Sequence, residues 1–95
     1  MCWVMAKVRT TVRFRGRVQG VGFRFHAVEF AKESGVTGWI RNRDDGTVEA
    51  VFEGEEQAVR FVIERCKMGI AQAHVSSVEA TNMKYTGEFS SFSIR

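Results

Sequence analysis

The 95 residues carry a formal net charge of +3, and 44% of them are hydrophobic and 26% charged. A chain of this length predicts one domain with one core, and it holds no run of about 18 apolar residues that could span a membrane. Its basic residues do not cluster in one run, so no nucleic-acid-binding patch is indicated. Residues 1–7 lack a signal-peptide pattern. We expect a loose extension there, a single domain over 8–95, and a cytoplasmic monomer.

The beginning of the domain predicts a strand and then a helix, separated by a glycine-rich loop. Residues 8–15 alternate in polarity, with Val12 and Phe14 on the apolar face and the arginines on the other. This alternation is typical of a half-buried strand. Residues 23–34 repeat apolar side chains at helical spacing, and Gly35 is well placed to end that helix.

A hairpin follows the first helix. Residues 36–43 and 47–53 predict strands on either side of an Asp-Asp-Gly turn. In the second of these strands, alternate residues face the core, and Glu49 and Glu53 lie on the other face. The last predicted elements are a helix from Glu55 to Lys67, a strand over 75–85, and a short strand that contains Phe92 and Ile94.

This element order predicts the α+β class. A β-α-β-β-α-β chain with a short C-terminal strand indicates a ferredoxin-like sandwich, with a mixed, mostly antiparallel sheet and two helices on one face. Right-handed crossover makes the first two strands parallel, and the third lies antiparallel between them. The carboxyl ends of the first two strands then share one edge of the sheet, which brings Asn42 toward the glycine-rich loop. Ligands of open α/β sheets tend to bind at such an edge.

The loop itself lies in the stretch Gly-Arg-Val-Gln-Gly-Val-Gly-Phe-Arg at residues 16–24. Glycines tolerate φ > 0 and leave room for a ligand, so successive N–H groups can face one oxyanion. The start of a helix adds unpaired N–H groups and a favourable dipole, and Arg24 adds a charged fork for phosphate oxygens. A glycine-rich turn is also a common tight connection, so spacing alone leaves phosphate binding and a plain turn open.

The predicted edge offers little other chemistry. Cys2 and Cys66 have no C-x-x-C spacing, and His26 and His74 are isolated, so no metal or redox site is predicted. No serine or cysteine stands beside an obvious base. An anion cradle, an arginine and an amide can hold a phosphoryl group and orient water. They cannot readily activate a poor leaving group, so an enzyme with this site needs a substrate with a good one.

Two stretches of the sequence resemble the signatures of the acylphosphatase family. Residues 16–24 resemble the first, and residues 38–42 (Gly-Trp-Ile-Arg-Asn), followed by Gly46-Thr47-Val48 and Gly54, resemble the second. The resemblance extends from about residue 8 to residue 95. Its departures, at Phe14, at Ile40 and in a connector without the usual prolines, do not touch the inferred chemistry.

The resemblance implies a ferredoxin-like fold and hydrolysis of the carboxyl–phosphate bond of acyl phosphates, with inorganic phosphate as product and competitive inhibitor. It implies that Asn42 positions the attacking water and that no metal or organic cofactor is needed. It also implies that the phosphoryl group is held by Arg24 and a loop formed by Arg17, Val18, Gln19, Gly20, Val21 and Gly22. A carboxylate leaves easily and a phosphate oxygen can take the proton of the water, so positioning and charge stabilisation suffice.

The sequence keeps two other functions open. The same element order builds RNA-recognition domains, although residues 47–53 carry acidic side chains where those domains need an aromatic signature. A domain that binds phosphate or carbamoyl phosphate without hydrolysing it, resembling the N-terminal domain of a hydrogenase-maturation carbamoyltransferase, would carry the same loop. We expect a free-standing enzyme that binds a small-molecule acyl phosphate, with neither nucleic acid nor membrane as a partner.

Overall fold

The structure is a computed structural model that describes residues 6–95. Most of the loose extension predicted at residues 1–7 lies outside the described residues. Within the described part, no helix is long and apolar enough to cross a membrane.

Five strands and two helices make up residues 6–95, and their boundaries lie within two residues of the predicted ones. They are β1 (Lys7–Arg17), α1 (Phe23–Glu33), β2 (Thr37–Asn42), β3 (Val48–Glu55), α2 (Glu56–Met68), β4 (His74–Met83) and β5 (Phe92–Ile94). The sheet order is β4-β1-β3-β2-β5, and every neighbouring pair is antiparallel except β2 and β5. The predicted ferredoxin-like α+β fold is confirmed.

The core lies between the sheet and the two helices. The predicted apolar positions of β1 and α1 meet there, where Phe14 and Phe23 are buried and pack edge to face with ring centroids 5.0 Å apart. Burying one such side chain stabilises the fold by about 2–3 kcal/mol. Because Phe14 lies near the end of β1 and Phe23 begins α1, this contact fixes both sides of the connecting loop.

Strand β1 continues past its predicted end and includes Gly16 and Arg17. Its register against β4 shifts between Arg15 and Gly16, which marks a bulge. A Cβ atom on Gly16 would lie 2.2 Å from the carbonyl oxygen of His74. Gly16 therefore permits the close approach of β1 and β4 and belongs to the strand, so the connection to α1 begins after Arg17.

The face of the sheet opposite the helices is partly covered. Glu53 lies on that face as predicted, but it is only 1% exposed, and its neighbour Val51 is also buried. The segment after β4 crosses this face, and the N–H groups of Thr86 and Gly87 donate to the Glu53 carboxylate at 2.8 and 3.1 Å. The alternation of polar and apolar residues identified the face correctly, but it did not show that the face would be covered.

Candidate active site

Residues 18–22 connect β1 to α1 and contain two glycines in the left-handed region. Gly20 has φ +74° and Gly22 has φ +73°, a conformation that costs other L residues about 1–2 kcal/mol. No N–H group of residues 18–22 donates to a backbone acceptor in the described chain, and Gly22, the N-cap of α1, provides no side-chain cap. The loop and the first turn of α1 thus present consecutive unpaired N–H groups, as anion binding requires.

Two side chains of this loop hold it in place. Val18 is buried in the core at 1% exposure. The side-chain amide of Gln19 donates from Nε2 to the carbonyl oxygens of Arg43 at 2.8 Å and Thr47 at 3.0 Å. The sequence interpretation ranked the N–H groups of these residues above their side chains, and the structure adds these side-chain contacts. No local sequence signal reveals the side-chain contacts, because their partners lie in the β2–β3 hairpin.

Hydrogen bonds fix the hairpin end that receives Gln19. The N–H of Arg43 donates to the carbonyl oxygen of Thr47 at 2.8 Å. The Oδ1 atom of Asp45 accepts from the N–H of Thr47 at 3.0 Å and from its hydroxyl at 2.6 Å. These bonds, together with nearby Arg13, hold the pKa of Asp45 below its usual range. The turn is therefore a rigid support beside the loop.

Asn42 is the last residue of β2 and pairs with Val48 of β3. Its Oδ1 atom is buried and accepts no hydrogen bond from residues 6–95. The bond from Gln19 to Arg43, the next residue in the chain, links this end of β2 to the loop. A depression of about 320 Å³ lies here, lined by Arg41, Asn42, Arg43, Asp44 and Asp45. The structure thus joins the two strand ends that the topology predicted to share an edge.

Arg24 is the second residue of α1 and is partly exposed. Seven other arginines form ion pairs with carboxylates, namely Arg9, Arg13, Arg15, Arg41, Arg43, Arg60 and Arg65. Neither Arg24 nor Arg17 forms one with any residue from 6 to 95. Arg17 ends β1 opposite His74, with an exposed side chain. The protein therefore leaves the charge of Arg24 uncompensated beside the loop.

The other sequence candidates lie apart from this edge or are engaged in packing. The thiol of Cys66 is buried in α2, and burial raises its pKa to about 12, so Cys66 acts as an apolar residue. His26 is exposed and packs near Phe30, with ring centroids 6.2 Å apart. A larger cavity of about 590 Å³ lies between α2, β1 and β4, and none of the predicted site residues lines it.

Comparison with known proteins identifies the family. The acylphosphatase family model matches residues 10–94 of the chain. The chain belongs to the acylphosphatase family. An acylphosphatase of Pelotomaculum thermopropionicum is 49% identical over 90 residues, which cover 95% of this chain and 98% of the relative. An acylphosphatase of Pyrobaculum islandicum is 50% identical over 91 residues, which cover 95% and 96%.

Solved structures agree with this membership. The crystal structure of an acylphosphatase from Bacillus subtilis superimposes with a TM-score of 0.88 at 35% identity, over 93% of this chain and 98% of that one. The family resemblance and the fold that the sequence predicts are therefore confirmed. So is the predicted enzymatic activity, the hydrolysis of acyl phosphates. The RNA-binding and non-catalytic alternatives are not favoured.

Proposed function

We propose that this acylphosphatase holds the phosphoryl group of its substrate with Arg24 and the N–H groups of residues 18–22, while Asn42 orients the attacking water. Arg17 adds a supporting positive charge. The observation that carries the proposal is that the polar groups gathered at this edge have no partner within the described protein. Arg24 has no acidic partner, the loop N–H groups donate to no backbone acceptor, and the buried Oδ1 of Asn42 accepts nothing.

Arg24 and the loop supply positive charge and hydrogen-bond donors around the three equatorial oxygens of the phosphoryl group. Arg24 provides a planar fork that is always charged and suits two phosphate oxygens at once. The N–H groups of the loop and of the first turn of α1 point their partial positive charge at the same group. Because these donors are fixed by the loop before the substrate arrives, they need no reorganisation as the transition state forms.

Asn42 acts on the nucleophile. Its Oδ1 accepts a hydrogen bond from a water molecule and so orients a lone pair toward phosphorus. The oxygen of that water bonds to phosphorus as the bond from phosphorus to the acyl oxygen breaks, and the electron pair leaves on the carboxylate. A non-bridging oxygen of the phosphoryl group takes the proton of the water. The carboxylate needs no general acid, so positioning and charge stabilisation account for catalysis.

We also propose that the enzyme is a cytoplasmic monomer that needs neither metal nor nucleic acid. The face of the sheet opposite the helices carries the arginines that such folds would use to bind RNA. Five of these arginines, in β1 and the β2–β3 hairpin, are paired with carboxylates, namely Arg9, Arg13, Arg15, Arg41 and Arg43. Phosphate contacts of a nucleic acid need uncompensated basic side chains. The free, buried thiol of Cys66 suits a reducing compartment.

Hydrolysis of benzoyl phosphate by the purified protein and by Asn42→Ala tests these roles. We expect wild-type turnover to survive EDTA and to be inhibited competitively by inorganic phosphate. Loss of one well-placed group from such a site costs about 10²–10³ in rate, so we expect Asn42→Ala to lower kcat by that factor and to leave the inhibition constant of phosphate nearly unchanged.

Asn82→Ala is the matched control, because Asn82 lies in β4 and its side chain meets Thr10, away from the loop. We expect this variant to keep wild-type kcat. Near wild-type kcat in Asn42→Ala would show that the assigned role is wrong, and activity that EDTA removes and a metal restores would overturn the metal-free mechanism.

A further inference from the structure

We propose that Gln19 is a positioning residue, whose side-chain amide sets the spacing between the phosphoryl-binding loop and Asn42. The proposal rests on the function proposed above for those two parts of the site. Gln19 is one of the loop residues. Its side-chain amide is not available to bind an anion, because its Nε2 donates to two carbonyl oxygens of the hairpin.

The geometry of the Gln19 amide is specific. A carboxamide nitrogen carries two hydrogens, and the Nε2 of Gln19 lies 2.8 Å from the carbonyl oxygen of Arg43 and 3.0 Å from that of Thr47. Both donors are therefore used by the two ends of the turn that connects β2 to β3. Among residues 18–22, Gln19 is the one whose side chain forms a hydrogen bond with the described chain.

The two acceptors belong to the turn between β2 and β3, whose own hydrogen bonds do not involve Gln19. Arg43 and Thr47 are hydrogen bonded to each other, and Asp45 accepts from both the N–H and the hydroxyl of Thr47. Asn42 directly precedes Arg43 in the chain. Loss of the Gln19 contacts would therefore leave the hairpin and Asn42 in place and would release the loop from them.

On its other side, the loop keeps its own supports. Val18 remains buried in the core, and Phe23 remains packed on Phe14. A loop released from the hairpin thus still has Arg24 and its N–H groups with which to bind phosphate. What it loses is the fixed distance between the phosphorus atom that it binds and the water held by Asn42. Attack on phosphorus needs reacting atoms about 3–3.5 Å apart, and a displacement of 1 Å can cost about 10²-fold in rate.

Gln19→Met tests the proposal, because methionine has similar length and no amide donors. We expect kcat for benzoyl phosphate to fall about 10- to 100-fold while the inhibition constant of inorganic phosphate changes by less than about threefold. Val62→Ala, which truncates a buried side chain of α2, controls for loss of stability and should keep wild-type kcat. Wild-type kcat in Gln19→Met would overturn the proposal.

A double-mutant cycle with Asn42→Ala separates positioning from a general effect on loop shape. If Gln19 acts through Asn42, Gln19→Met should cost less than about threefold in the Asn42→Ala background. An equal loss in both backgrounds would overturn the proposal and leave the function of the site intact. Wild-type kcat in Asn42→Ala alone would instead overturn the proposed function, and the role of Gln19 with it.

Gln19→Glu provides a second variant of the same shape, should Gln19→Met fold poorly. At neutral pH its carboxylate would face two carbonyl oxygens and could donate to neither. We expect its kcat, relative to wild type, to rise as the pH falls toward the ordinary glutamate pKa of about 4.3, because the protonated acid can donate one hydrogen bond. A pH-independent ratio of the two kcat values would contradict the positioning role.

Discussion

Two regions of this enzyme use the same kinds of donor but differ in what the donors meet. The first is the loop of residues 18–22 with Arg24. The second, here called the strap, is the segment 86–88 with Arg9. In the strap, the N–H groups of residues 86 and 87 and the hydroxyl of Thr86 surround the carboxylate of Glu53, and Arg9 lies 3.4 Å from it. In the loop, neither Arg24 nor an N–H group of residues 18–22 binds a carboxylate of the described chain.

The two regions lie at opposite ends of β1. Arg9 stands near the start of that strand, opposite Glu53 of β3, and the loop follows its end. Arg9 also binds Glu88 at 2.6 Å, a bond that raises the pKa of Arg9 and lowers that of Glu88. An arginine with backbone donors therefore stabilises the fold where the protein supplies the anion. The same donors remain for a ligand where the protein supplies none.

Arg24→Ala should give the largest effect on activity. Unchanged activity in this variant would show that the loop and the strap do not differ in the way described. We expect kcat/KM for benzoyl phosphate to fall about 10³-fold or more, since the variant removes the charged fork of the site. Inhibition by inorganic phosphate should disappear as well. The urea midpoint should hardly move, because Arg24 forms no ion pair with the described chain.

Arg9→Ala is the matched control for Arg24→Ala. Arg9 takes part in the ion pairs with Glu53 and Glu88, so its loss should lower the urea midpoint and leave kcat/KM within about twofold of wild type at temperatures where the protein is folded. A variant Arg24→Ala that is less stable but fully active would contradict the assignment of Arg24 to ligand binding and Arg9 to stability.

Glu53→Ala should give the next effect, on stability alone. The carboxylate is fully buried, and its removal leaves the N–H groups of Thr86 and Gly87 without their acceptor. Breaking such a buried, hydrogen-bonded ionic site costs about 3 kcal/mol of unfolding free energy, which urea unfolding measures. We expect kcat to stay within about twofold, and the exposed Glu88→Ala should lose much less stability. Loss of kcat with unchanged stability would contradict the division between the two regions.

The sequence was sufficient for the architecture and for the prediction that the loop and the end of β2 share one edge of the sheet. Hydrophobic alternation and helical spacing predicted the elements, and right-handed crossover then placed the ends of β1 and β2 at one edge. Arg24 emerged from its position directly after the glycine-rich loop, and Asn42 emerged because topology brings the end of β2 to that edge. The family resemblance added their roles, which remain to be tested by substitution.

The features that sequence reasoning missed depend on contacts between distant segments. Gly16 lies in β1 rather than in the connection to α1, and there it has φ +117° and allows the close approach of β4. The role of the Gln19 side chain depends on carbonyl oxygens 24 and 28 residues away. The burial of Glu53 depends on a segment 33 and 34 residues away that crosses the sheet. Periodicity assigns a residue to a face but does not show what covers it.

The smallest expected effect concerns a third carboxylate, Asp45, which is exposed and supports the hairpin beside the loop. Hydrogen bonds from Thr47 and the nearby Arg13 lower its pKa. Its contribution to stability is therefore complete above the ordinary aspartate pKa of about 3.9 and is lost as the pH falls through the lower folded value. Asp45→Asn keeps the acceptor atom without the charge, so its urea midpoint should fall less steeply than that of wild type below about pH 4.

Glu49 and Glu88, whose pKa values are also lowered, titrate in both proteins, so the difference between the two curves isolates Asp45. Parallel curves would show that the charge of Asp45 does not stabilise the turn on which Gln19 rests.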